Sequence, residues 1–240
     1  MCMMFKQICK IIVWNVRKYK LQAKFGCLFG NGVYIDSKSI INGYIDVQKG
    51  TSIIESLING GNNIGRFNSF VKCQIGKYCI MGDYNRNIYG HHPVNTFVSM
   101  HSFFYQPQSH GYTQKVTLPH VNLYKYADKE KKYHNIIGND VYVTNNVLLI
   151  EGVKVGNGAV ITPGSVVTKN VPPYAIVRGN PAKVVAYRFK PHEIKFLEKL
   201  QWWDKDDEWL RSHADDFCDI KLLMKRVIEE ENWDESEFFL

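Results

Sequence analysis

Between Ile137 and Pro172 the sequence reads IGNDVY, VTNNVL, LIEGVK, VGNGAV, ITPGSV, VTKNVP. Six hexads keep one phase. Their first positions, Ile137, Val143, Leu149, Val155, Ile161 and Val167, are all aliphatic. Their fifth positions, Val141, Val147, Val153, Ala159, Ser165 and Val171, are all small or β-branched. An α-helix cannot hold this register, because six residues is not a whole number of turns. A flat strand alternates with period two and has no reason to place Gly or Asn at fixed points. A parallel β-helix accounts for the pattern. Each hexad makes one short strand and one corner, and three hexads close one triangular coil. Residues eighteen apart then stack, which predicts Ile137 under Val155, Val143 under Ile161 and Leu149 under Val167. The first position fills the interior, and the fifth is read as lying near a corner that restricts its size. Asn and Gly between them tolerate the positive φ of tight corners.

The same grammar appears earlier in IGKYCI and MGDYNR, starting at Ile75 and Met81, and more loosely in IGRFNS at Ile64. Residues 33–60 are rich in β-branched residues, Gly and Asn but drift out of phase, as irregular first coils would. The two regular blocks are out of phase with each other, because Ile75 and Ile137 are 62 positions apart. The chain must leave the solenoid at about residue 87 and return at about residue 135. A long excursion from a regular scaffold is either functional or disordered. Five Tyr and Phe residues within FVSMHSFFYQPQSHGY argue against disorder.

Residues 1–26 form an amphipathic helix with Phe5, Ile8, Ile12 and Val16 at helical spacing. It is read as a cap on the β-helix, with weak association with a membrane surface as the alternative. Lys6, Gln7 and Lys10 interrupt its apolar run, so it suits neither a signal peptide nor a membrane span. The β-helix with its excursion occupies residues 27–187. A helical tail follows over residues 188–240, with Ile194, Leu197 and Leu200 on one face and Trp202 and Trp203 placed to pack it on the solenoid. The fold class is therefore mainly β.

Net charge is +7, with Lys and Arg spread along the chain. No basic stripe or nucleic-acid module is present, so a nucleic-acid partner is not expected. The balance suits an anionic small ligand. Six cysteines form no CxxC pair and no zinc spacing, which fits reduced thiols in a cytoplasmic protein.

The excursion opens with YGHHPVNTFVSMHSFFYQP, residues 89–107. Three readings stand: a metal site, an aromatic binding loop, or the home of one catalytic base. A zinc site from His91, His92 and His101 lacks a carboxylate or Cys to complete it.

Three segments resemble the left-handed β-helix acyltransferases built on hexapeptide repeats, and within them the xenobiotic acetyltransferase-like group. They are IGKYCIMGDYNRNIYGHHPVNTFVSMHSFFY, then IIGNDVYVTNNVLLIEGVKVGNGAVITPGSVVTKNVPPYAIVRGNPAKVVAYRF, and EIKFLEKLQWWDKDDEWL. The resemblance spans roughly residues 64–210. It implies a left-handed β-helix, a homotrimer with active sites between subunits, and acetyl-coenzyme A as cosubstrate, with no metal. It further implies His92 as general base, seventeen residues after Ile75 and followed by Pro93. His91 stands where the family usually has Asn; it is read as a candidate acceptor contact, with the role of base as its lesser alternative. Asn95 stands where it commonly has Asp, so a backbone carbonyl or an acid from elsewhere would orient the imidazole. His101 falls near the end of a family segment from which Met100 and Ser102 depart, with a structural or an acceptor-contacting role. Phe103 and Tyr105 are candidate walls of an acceptor cleft. By position, Asn145, Pro163, Thr168 and Lys169 match the residues along the pantetheine arm, and Arg178 and Lys183 those near the phosphates.

The group includes antibiotic O-acetyltransferases and enzymes that acetylate sugars of bacterial surface polysaccharides. The short spacing from Ile75 to His92 and the long polar and aromatic excursion favour a sugar hydroxyl of such a polysaccharide or its precursor. An antibiotic acceptor of the chloramphenicol or streptogramin type is the runner-up, and amino-sugar N-acetylation a further variant. A catalytically inactive scaffold or binding trimer is the contrasting class.

Overall fold

The computed structural model describes residues 2–105 and 121–239, without the side chains of residues 2–10, 103 and 239. Helix α1 (Cys2–Phe25) precedes a run of short strands: β1 (Leu28–Phe29), β2 (Tyr34–Ile35), β3 (Ile40–Asn42), β4 (Ile45–Val47), β5 (Ser52–Ile54), β6 (Leu57–Asn59), β7 (Asn62–Ile64), β8 (Ser69–Val71), β9 (Cys73–Ile75), β10 (Ile80–Met81) and β11 (Arg86–Ile88). The chain then leaves the stack. It returns in β12 (Asn135–Ile137), β13 (Tyr142–Val143), β14 (Leu148–Ile150), β15 (Lys154–Val155), β16 (Val160–Ile161), β17 (Val166–Val167), β18 (Ala175–Gly179) and β19 (Ala182–Tyr187). Four helices follow: α2 (Pro191–Leu200), α3 (Asp207–Ser212), α4 (Ile220–Glu231) and α5 (Ser236–Phe239).

Every third strand stacks on the next. One sheet runs β1-β4-β7-β10-β13-β16-β18-β19, a second β2-β5-β8-β11-β14-β17, a third β3-β6-β9-β12-β15. All pairings are parallel except the closing β18–β19 hairpin. This is the expected parallel β-helix. The three stacked pairs read from the hexads occur as predicted: Ile137 on Val155, Val143 on Ile161, Leu149 on Val167.

The early drift has a simple cause. In the first coils one side holds five residues rather than six, so Ile58 stacks on Ile75 and Ile64 on Met81 at a spacing of seventeen. The fifth positions are not merely restricted by a corner. Val141, Val147, Val153, Ala159 and Ser165 lie inside, as buried as the aliphatic first positions. In the earlier coils several of the equivalent sites are polar and pair from coil to coil. The Asn68 N–H donates to Thr51 Oγ1, the Asn85 N–H to Asn68 Oδ1, and the Val147 N–H to Asn85 Oδ1. Each of these buried Thr and Asn side chains therefore has a partner, which removes the cost of placing it in the core. Cys27, Cys73 and Cys79 pack inside as small apolar residues. Burial pushes the Cys79 thiol up to about 12.

Corners do use Gly and Asn at positive φ, including Asn146, Gly152 and Gly158. Aromatic residues join them: Phe67, Tyr78, Tyr84 and Tyr174 also have positive φ. Gly158 shows why one glycine accompanies such a ring. A Cβ there would lie 2.2 Å from Cε1 of Tyr174, which covers it from the next coil.

The tail packs on the solenoid through its tryptophans. Trp203 is buried, and the Trp202 ring lies 5.0 Å from that of Tyr78. Lys77 pairs with Asp204 at 2.8 Å. At the other end, the described part of the apolar stripe expected on α1 faces away from the coils. Ile12 and Val16 are 56% and 53% exposed, while Trp14 is 8% exposed. Trp14, Leu21 and Phe25 do the packing instead, because the Trp14 ring fits edge-on against Phe29 of the first coil. Arg17 fastens the same face by donating to the carbonyls of Asp36 and Ser39. Among the described residues no helix is long and apolar enough to cross a membrane.

Candidate active site

The excursion leaves at the corner that follows the second sheet. Its two ends are tied by buried amides. Asn87 takes an interior position in β11, where its neighbours in the column, Phe70 and Leu149, are apolar, and its Nδ2 donates to Val71 O and to Asn135 Oδ1. Asn135 Nδ2 in turn donates to Ile150 O. The same corner thus holds the exit after Ile88, the return at Asn135, and Glu151 one coil on, whose N–H donates to Ile88 O.

Glu151 organises the exit. Its carboxylate accepts from the Gly90 N–H at 2.9 Å and lies 2.7 Å from His91 Nδ1. Its side chain is 5% exposed, against 43% for His91. Burial alone would raise its pKa. The N–H groups of Gly90 and Lys125 and the His91 ring outweigh that, and hold the carboxyl below the usual range. A carboxylate on Nδ1 keeps the Nδ1–H tautomer of His91, leaving Nε2 as the basic nitrogen.

His92 is held differently. Its Nδ1 is hydrogen-bonded to the hydroxyl of buried Tyr105. That hydroxyl donates its only proton to Met100 O at 2.8 Å. At His92 it must therefore accept, so Nδ1 carries the hydrogen and Nε2 keeps its lone pair. Tyr105 supplies the orienting group that Asn95 lacks. Asn95 lies exposed in the turn in which the Thr96 and Phe97 N–H groups donate to Pro93 O. Phe97 packs edge-on against Tyr105 at 5.5 Å and steadies it.

Beneath the exit stands an aromatic stack. His134 is buried, with Nδ1 on Lys125 O, and lies between Tyr89 and Tyr126 at 5.0 and 4.9 Å, with Tyr124 tilted at 5.5 Å. His134 is thus a packing residue that fixes the base of the excursion. Its partners Tyr89 and Tyr124 keep exposed edges.

The residues matched to the coenzyme line two corners of the same face. Asn145 and Pro163 are exposed before β14 and β17, and the Gly164 N–H donates to Asn145 O. Asn145 Oδ1 also accepts from the Asp83 N–H, so its amide oxygen already serves the corner. Thr168 and Lys169 are exposed after β17. In that corner the coil shortens, because Leu149 stacks on Val167 eighteen residues on while Val155 bridges Val171 sixteen on. Arg178 and Lys183 are exposed and directly opposite in the closing hairpin. His101 is exposed, with its N–H donating to Ser99 Oγ. The Phe103 side chain lies outside the described residues. His91, His92 and Tyr105 come together at the exit, with Glu151 holding His91 and Tyr105 holding His92.

Glu151 and the tyrosine stack were not singled out in the sequence. The signal for Glu151 was an acid at the third position of LIEGVK, in the hexad that returns to the exit corner. Among the described residues no three His, Cys, Asp or Glu side chains cluster as metal ligands.

No family model matches the chain. Among curated relatives, it is 39% identical to a chloramphenicol acetyltransferase of Klebsiella aerogenes over 94 residues, 39% of this chain and 45% of that protein. It is 47% identical to a probable macrolide acetyltransferase of Lysinibacillus sphaericus over 77 residues, 32% of this chain and 43% of that one. It is 34% identical to a chloramphenicol acetyltransferase of Agrobacterium fabrum (strain C58) over 142 residues, 58% and 62% of the two chains. The chain spans about half the length of the curated relatives it matches. These matches and the β-helix bear out the resemblance to the hexapeptide-repeat, xenobiotic acetyltransferase-like group.

Proposed function

We propose that this protein transfers an acetyl group from acetyl-coenzyme A to a hydroxyl of a saccharide, with His92 as general base. The observation that carries the reading is the Tyr105 hydroxyl, which donates to Met100 O and so leaves His92 with a free Nε2 lone pair. That nitrogen takes the acceptor's hydroxyl proton as the oxygen attacks the thioester carbonyl carbon. The resulting oxyanion collapses, the carbon–sulfur bond breaks, and the imidazolium returns the proton to the departing thiolate. Nothing in this sequence requires a covalent enzyme intermediate.

Acetyl-coenzyme A as donor rests on the acetyltransferase names of the relatives and on the positional match of Asn145, Pro163, Thr168, Lys169, Arg178 and Lys183. Arg178 and Lys183, facing each other on the hairpin, suit the phosphates of a polyanion. The saccharide acceptor, a unit of a surface polysaccharide or its precursor, is supported by the hydroxylated rings Tyr89 and Tyr124 at the mouth of the excursion. A homotrimer in the cytoplasm completes the reading. A closed cyclic assembly would seat each flank of the solenoid against a neighbour and repeat one cleft three times.

Two observations favour second readings. The relatives' names make an antibiotic hydroxyl the alternative acceptor. The carboxylate of Glu151 makes His91 the alternative base, since an acid on Nδ1 also stabilises the imidazolium that forms. Release of free thiol from acetyl-coenzyme A, measured across nucleotide sugars, oligosaccharides and antibiotics, separates the acceptors. Turnover with saccharides is expected. Turnover with an antibiotic alone overturns the saccharide reading, and no turnover with any acceptor favours a non-catalytic scaffold.

A further inference from the structure

The unpartnered stripe on α1 carries an inference that is independent of the acetyl-transfer reading. Successive residues turn by about 100° around a helix axis. Trp14, Leu21 and Phe25 therefore share one face, and it is the face packed on the first coil. Ile12, Val16 and Tyr19 share another, on the opposite side of the helix. All three are exposed, Tyr19 by 73%, and Ile11 and Val13 beside them are exposed as well. Over residues 11–25 the helix has two apolar faces and packs one of them.

Charge says what the second face fits. The helix sequence CMMFKQICKIIVWNVRKYKLQAKF contains six basic residues and no acidic one. Arg17 is committed to the first coil. Lys18 and Lys20 remain, with Lys24 Nζ 4.7 Å over the Phe25 ring at the helix end, and such long aliphatic stems can lie along an apolar surface while the ammonium reaches polar ground. Pairing this stripe with the same stripe of a second copy would bring two basic flanks together with no acid to offset them. An apolar stripe bordered by Asn15, Gln22 and lysines, with no acid on the helix, matches a surface that is apolar beneath and anionic on top.

We propose that α1 lies flat on an anionic bilayer surface, with Ile12, Val16 and Tyr19 in the acyl boundary and Lys18, Lys20 and Lys24 among the headgroups. The helix rests on the membrane rather than crossing it, and it fastens the first coil of the β-helix there through Trp14 and Arg17.

The full chain, sedimented with extruded vesicles, tests this. One vesicle set is phosphatidylcholine alone, and the other also contains phosphatidylglycerol. Binding to the anionic set is expected to exceed binding to the neutral set by at least about tenfold at low salt, and to fall as salt rises. The double substitution Ile12→Asp and Val16→Asp should abolish binding while leaving the circular dichroism and melting curve unchanged, since both side chains are exposed. Lys20→Glu with Lys24→Glu should remove the preference for anionic vesicles. No binding, equal binding to both sets, or binding undisturbed by the aspartates overturns the proposal. So does a drop in oligomer mass on aspartate substitution without any vesicle binding, which assigns the stripe to a second copy of the chain.

Discussion

Replacing His92 by Ala removes the Nε2 lone pair that the Tyr105 hydroxyl keeps available. A positioned general base contributes about 10²–10⁴-fold, which corresponds to about 2.7–5.4 kcal/mol of barrier. The His92→Ala protein should lose that much in kcat, with the KM for acetyl-coenzyme A little changed. Tyr105→Phe should cost far less. It removes one neutral hydrogen bond to the ring, about 0.5–1.5 kcal/mol, or about 2–13-fold in kcat. The neighbouring pair supplies the contrast. If His91 only contacts acceptor, His91→Ala raises the acceptor KM, and Glu151→Gln leaves kcat within about threefold. If His91 is instead the base, Glu151→Gln removes a charged hydrogen bond of about 1.5–3 kcal/mol, and kcat falls by about 13–160-fold. The assay is thiol release under saturating acetyl-coenzyme A, with melting curves for each variant to separate folding from chemistry. A His92→Ala protein that keeps more than about a third of wild-type kcat, beside a His91→Ala protein that is dead, refutes the assignment of His92 and the tautomer argument behind it.

The buried Glu151 carboxyl sits below the usual range, so its bonds to Gly90, Lys125 and His91 contribute stability above the unfolded carboxyl pKa and lose it as pH falls through the lower folded value. Glu151→Gln should therefore flatten the acid side of the stability profile, read from urea midpoints between about pH 7 and about pH 3. Gly158→Ala forces an L side chain into positive φ and drives its Cβ to 2.2 Å from the Tyr174 ring. It should destabilise by at least about 1–2 kcal/mol by denaturant titration. Arg178→Ala and Lys183→Ala should each raise the KM for acetyl-coenzyme A several-fold, about tenfold when combined, with kcat nearly constant, because such contacts bind donor equally before and during the reaction.

The regular coils were legible because every residue in them answers to one constraint. A buried first position must be aliphatic at each eighteenth residue, and Ile137, Val143 and Leu149 duly stack on Val155, Ile161 and Val167. The first coils were less legible for two physical reasons. Their five-residue sides change the coil length to seventeen, and their interior fifth positions hold Thr51, Asn68 and Asn85, which satisfy one another through the backbone of the next coil. Polar residues at those places look like surface until the cross-coil bonds are seen. Helix α1 misled in another way. The described residues of its apolar stripe by spacing, Ile12 and Val16, are not the ones that pack, because the large Trp14 ring on the opposite face meets Phe29 edge-on.

The site shows where such reasoning stops and where it had further to go. The 62-residue offset that revealed the excursion also maps residues across it, since Arg86, Asn87 and Ile88 pair with Leu148, Leu149 and Ile150 at that offset. One step more maps Tyr89 onto Glu151, so the acid nearest the histidine pair was already specified by the phase difference. The offset cannot be carried beyond the exit. At Gly90 the backbone turns to φ +82 and leaves the lattice of coils. From that point no periodicity relates His91 or His92 to anything else, and only packing decides that His91 meets Glu151 while His92 meets Tyr105, thirteen residues on. The two adjacent imidazoles differ in what touches Nδ1, a carboxylate for one and a phenol for the other. A carboxylate gives more help to a base that must become charged, and a phenol holds the tautomer without binding the proton's charge as tightly. Either arrangement leaves a basic Nε2 that can take a proton and return it, as a carboxylate-held imidazole does in the serine-protease triad, so the proposal of His92 rests on its place before Pro93 and on Tyr105, and the paired alanine variants separate the two histidines.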